Sequence, residues 1–145
     1  MMEKQSSILN TFLLPLASLV AYLGLDAQKL TILIILMCMD MLTGTIKAYK
    51  VNENITSKRW IAGFLSKLVV LLVPFTVALM AKGVDFDIKW FVSLCVSILV
   101  VAEAYSILGN AYTIQTGKNV AEIDAVSAII KMLREIFENM IVRSK

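Results

Sequence analysis

A chain of 145 residues, 59% of them hydrophobic and 17% charged, carries more apolar side chain than a water-soluble domain of this size buries, so a bilayer must take the surplus. It has no histidine, and its two cysteines stand in no cluster with Asp or Glu at ligand spacing, so zinc and haem lack donors and no cofactor is expected. No Gly-rich phosphate loop and no serine with a partner base is visible, so no enzyme is expected; the net charge of +3 suits an anionic membrane leaflet without any need for nucleic acid.

Four apolar stretches follow in chain order, judged against the roughly 20 residues that cross a hydrocarbon core of about 30 Å. The first, 8–24, is the shortest and is divided by Pro15. Lys4 before the run and Ala21 after it resemble a signal peptide, but the chain proceeds straight into more apolar sequence, so the segment is read as a span or a membrane-embedded helix. The second, 30–48, has Asp40 as its one central charge and Lys47 at its end, where a lysine can snorkel. The third, 60–80, contains Lys67 and an expected kink at Pro74; the fourth, 88–109, contains Glu103. Trp60, Trp90, Tyr22, Tyr49 and Tyr112 fall at the ends of these runs, at headgroup level. Cys38 and Cys95 lie inside them and are expected as free thiols.

Beyond Tyr112 the composition changes. Gly117 makes a break, and Asn119 followed by Glu122 resembles an N-cap with its reciprocal glutamate, which predicts a helix over 120–142. Ile123, Val126, Ile130, Leu133, Phe137 and Met140 form a heptad seam on it, widened by Ile129 and Ile136; Asp124, Lys131, Arg134, Glu135 and Glu138 take the other face. Such a stripe can pack on its own protein, lie on the membrane surface, or pair with sister chains. The expected fold is all-α: an integral membrane bundle of three to four transmembrane helices (1–112) followed by a cytoplasmic amphipathic helix (113–145).

Four spans place ten basic residues on one side, including Lys4, Lys47, Lys50, Lys58, Arg59, Lys118 and the tail, against Lys29, Lys82 and Lys89 on the other. The richer side, with the C-terminus, is expected in the cytoplasm. A charge at a helix centre costs at least about 2.5–3.5 kcal/mol, so Asp40, Lys67 and Glu103 need a reason. Helical rise puts Lys67 and Glu103 at nearly one depth with Asp40 about a turn away, where one ammonium can serve both carboxylates. The group is then an internal clasp, a set of polar groups facing a lumen or exchanging partners between subunits, or a proton relay. Small residues four apart, Gly44 and Ala48, Ala62 and Ser66, Ser93 and Ser97, allow close helix approach.

These residues give the chain a family likeness. Asp40, Thr43, Gly44, Lys47 and Ala48, then Ser57, Gly63 and Lys67, then Glu103, Ser106, Ile107 and Asn110 stand in successive spans in an order that resembles the small phage holins grouped with the clostridial toxin-secretion proteins. Gly109 stands where that family often has a glutamate, and the C-terminal helix is longer than the short charged tail usual there. The resemblance implies timed permeabilisation of the bacterial cytoplasmic membrane by homo-oligomers in contact with lipid, letting an endolysin or a toxin across. A small ion channel or secondary transporter using the buried charges, and a membrane anchor recruiting a partner through 120–142, are the alternatives.

Overall fold

Short polar signals between the apolar runs set the helix boundaries. The computed structural model describes residues 2–143 except 54, 55, 86 and 122, and at 2–10, 12, 140, 141 and 143 it describes the backbone alone. Among the described residues all regular structure is helical, in the order α1 (Met2–Tyr22), α2 (Ala27–Lys50), α3 (Ser57–Gly83), α4 (Lys89–Thr116) and α5 (Ala125–Arg143). Asp26 starts α2 by accepting the N–H groups of Gln28 and Lys29 at 2.9 and 3.1 Å, and Thr56 starts α3 by accepting that of Arg59 at 3.3 Å. Gly117 ends α4 in the left-handed region, φ 72°, with its N–H donated to the Thr113 carbonyl at 2.8 Å.

Asp124, not Asn119, caps the last helix: its Oδ1 accepts the Ser127 N–H at 3.0 Å, so α5 begins five residues after the expected Val120. Glu122, the expected partner in that cap, lies outside the described residues.

Helices α2, α3 and α4 are long and apolar enough to cross a membrane. They include the predicted stretches 30–48, 60–80 and all but the first residue of 88–109, and extend them by a turn or so at most ends. Leu42, Val69, Leu72 and Leu108 point outward, as lipid-facing positions must. In α1 the described apolar stretch is Leu13–Tyr22, whose ~15 Å is half of a hydrocarbon core. Most of its described side chains stand clear of the bundle; its end is pinned by Val20 and Leu23 in the core and by the Lys82 ammonium over the Tyr22 ring, 5.3 Å from the centroid.

The broadest interface joins α2 and α4, and α3 leans on α4 while barely touching α2. Lys29 meets Ser93 near the start of both α2 and α4, and Asp40 meets Asn110 further along both, so these two helices run parallel with α3 antiparallel to them. Leu30, Leu33, Met37, Asp40, Gly44 and Lys47 line α2 at steps of three and four, and Val92, Val96, Leu99, Glu103, Ser106, Asn110 and Thr113 do the same on α4. Both seams change character at mid-length, from apolar to polar, towards the end that carries Lys47, Lys50, Lys58 and Arg59, called the basic end below.

Ala125 and Ile129 of α5 are buried in the same core, with Met132, Leu133 and Ile136 packed against it. Of the predicted seam, Ile123 and Ile130 are exposed, Val126, Leu133 and Phe137 are half-buried, and the side chain of Met140 lies outside the described residues. The residues expected only to widen the stripe, Ile129 and Ile136, are therefore at its packed centre.

Candidate functional site

Three helices each contribute one ionisable side chain at about 15–20 Å from their basic ends. The Lys67 ammonium of α3 donates to both carboxylate oxygens of Glu103 on α4, at 2.6 and 2.7 Å, and lies 3.0 Å from Oδ2 of Asp40 on α2. Both carboxylates are buried. The structure thus brings together the three charges that helical rise placed at compatible depths.

Asn110 completes the arrangement. Its Nδ2 donates to Oδ1 of Asp40 at 3.0 Å and to the Thr43 hydroxyl at 3.3 Å, so both Asp40 oxygens are engaged. Gly44 lies beside this amide, where a β-carbon would stand in ordinary contact with it at 3.7 Å. Sequence reasoning had Asn110 only as a motif position; the α4 heptad, which sets Glu103 and Asn110 on one face, is the signal that pointed to it. Also unforeseen is Lys29, which turns inward to the hydroxyls of Ser93 and Ser97, at 2.6 and 3.5 Å, and ties α2 to α4 through two small residues.

Two cavities flank the cluster. One of about 340 Å³ lies between α3, α4 and residues 120, 121 and 123–126; another of about 310 Å³ lies between α2 and α3 and is framed at its mouth by Thr56 and the Glu53–Arg59 ion pair. Lys47, Lys67, Ser106 and Asn110 border both, so the cavities meet at the charged residues. Gly63 and Ala48 line the second. Ser57 is the exposed first residue of α3, and Ile107 is half-buried outside either cavity.

At Gly109 a β-carbon would stand 3.6 Å from that of Val120, so a longer side chain there would meet the segment that folds back along α4. The Thr113 hydroxyl holds the same segment by donating to the Lys118 carbonyl at 3.0 Å. Among the described residues no three His, Cys, Asp or Glu side chains converge to hold a metal ion, and the lysine fills the space between the two acids. The chemistry available is ion pairing, hydration and exchange of hydrogen-bond partners.

Fold and site define a class: a small multi-pass membrane protein of packed helices, tied at mid-depth by one lysine and two carboxylates. Within that class the chain belongs to the bacteriophage holin family, which matches it over residues 17–140, from the last turns of α1 to near the end of α5. No curated protein and no solved structure matches it.

Proposed function

We propose that copies of this protein collect in the bacterial cytoplasmic membrane, with the C-terminus on the cytoplasmic side, and then assemble into lesions that release an endolysin or a toxin and so bring about lysis. The observation that carries this reading is the way α3 is held. From Ser57 to Ser66 every residue of α3 is exposed, and its buried residues begin at Pro74. Between these parts, the Lys67 ammonium is its polar tie to α2 and α4. An ammonium that serves two carboxylates within one chain can serve the same carboxylates of a neighbour, and the exchange turns polar seams towards a shared wet centre without leaving a charge bare.

The test is timed expression in a bacterial host with an endolysin in the cytoplasm, following optical density and membrane potential. A delay followed by abrupt lysis, advanced by an energy poison, is expected. Steady growth with intact potential at high membrane abundance would overturn the proposal. The cavities that meet at the cluster favour a second reading as a small channel, which would give selective, saturable flux without killing.

A further inference from the structure

The polar seams and the cavities have a common boundary. The two cavities at the basic end reach as far as Asp40 on α2, Val70 on α3 and Leu99 on α4, and a third cavity of about 270 Å³ at the opposite end reaches Ala78 and Val92. The seven helical steps from Val92 to Leu99 rise about 10 Å. That interval is packed with the buried apolar residues Leu33, Met37, Cys95 and Val96, and its two hydroxyls, Ser93 and Ser97, are taken up by the Lys29 ammonium from the opposite end. The cavities at the basic end are different: each has room for about ten waters at roughly 30 Å³ apiece, and their walls carry the ammonium, carboxylate, amide and hydroxyl groups that bind them.

We propose that each single copy, before any assembly, is a one-sided aqueous vestibule: water enters from the basic end between α2 and α3, reaches the Lys67 cluster and Ser106, and is stopped by the packed apolar side chains of Leu33, Met37, Cys95, Val96 and Leu99. The vestibule explains how three ionisable groups are held at mid-depth without full desolvation, since the cluster is hydrated from one face. It also confines the barrier of each copy to a few apolar side chains. This goes beyond the lytic reading, because it concerns the resting chain and holds whether or not lesions form.

The protein supplies its own reporter of this apolar layer in Cys95 once Cys38, which faces outward, is changed to serine. In that background, full-length protein carrying Ser57→Cys, Ser106→Cys or Gly44→Cys is reconstituted in vesicles and exposed from one side at a time to a charged, membrane-impermeant methanethiosulfonate reagent. Ser57→Cys, at the exposed start of α3, marks which side is the basic end. Ser106→Cys and Gly44→Cys are expected to label to completion from the side that labels Ser57→Cys and not from the other, while Cys95 labels from neither. If both inner cysteines stay unlabelled while Ser57→Cys reacts, or if they or Cys95 label from the opposite side, the vestibule is wrong. The lysis assay is read separately, so failure here leaves the lytic proposal standing, and the reverse also holds.

Discussion

Lys67 ties α3 to both of its neighbours. Its ammonium meets three carboxylate oxygens within 3.0 Å, and removing it leaves two buried acids facing each other. Lys67→Met is therefore expected to destabilise the protein by about 3–5 kcal/mol, whereas Lys67→Met combined with Asp40→Asn and Glu103→Gln recovers much of that loss, because neutral amides carry no desolvated charge. Denaturant titration of the protein in detergent micelles compares the two, and equal losses would show that Lys67 acts by packing. Asn110→Ala deprives one oxygen of Asp40 of its donor and should cost about 1–3 kcal/mol in the same assay, with Asn110→Asp worse, since it adds a third acid. If the cluster governs assembly, Asp40→Asn, Lys67→Met and Glu103→Gln also shift the onset of lysis; unchanged onset at equal abundance for all three would remove it from the mechanism.

Among the elements, α5 shows where periodicity misleads. A heptad count selects the stripe through Ile123, Val126 and Ile130, but the apolar arc of this helix is wider than one seam, and what it packs on decides which half is buried. Past the end of α4 at Gly117, it is Ala125 and Ile129 that are buried in the core. Ile129→Ala is thus expected to cost about 2–5 kcal/mol and Ile130→Ala almost nothing, an order that thermal unfolding reads directly and that the heptad register would reverse. The N-cap adds a pH dependence. Hydrogen bonds from the Ser127 hydroxyl and N–H hold the Asp124 carboxyl below the usual carboxylate range. A depressed native value means that the cap contributes above the unfolded aspartate pKa and is lost as pH falls through the native one. Amide exchange at 125–128 should quicken over that acidic window in the native chain, beyond the intrinsic change, and should lose this dependence in Asp124→Asn, which still caps.

The three spans were legible because lipid imposes long apolar runs, and so were the depths of Asp40, Lys67 and Glu103, because helical rise is fixed. The partner of Asp40, the inward turn of Lys29 and the start of α5 were not. Each depends on rotation about a helix axis or on a choice between competing caps, and those are set by packing between segments distant in the chain.

At the scale of the molecule, the apolar half of the α2–α4 interface separates the polar half from the opposite face. Leu99 is buried at its edge, on the rim of the larger cavity. Leu99→Ser is expected to make vesicles carrying the protein leak potassium ions at densities where the native chain holds them, measured with an ion-selective electrode. Leu108→Ser, facing outward, is the control and should not leak.

The antiparallel placement of Lys67 between two parallel helices also bears on synthesis. Asp40 leaves the ribosome first, and α2 alone would carry a carboxylate into lipid at a cost of about 2.5–3.5 kcal/mol. The ammonium that neutralises it emerges 27 residues later on the returning strand of the same hairpin. Helices α2 and α3 therefore gain by entering the bilayer together, and α4 docks last, bringing a second acid to a lysine already committed. The order of insertion is written into which helix holds the positive charge.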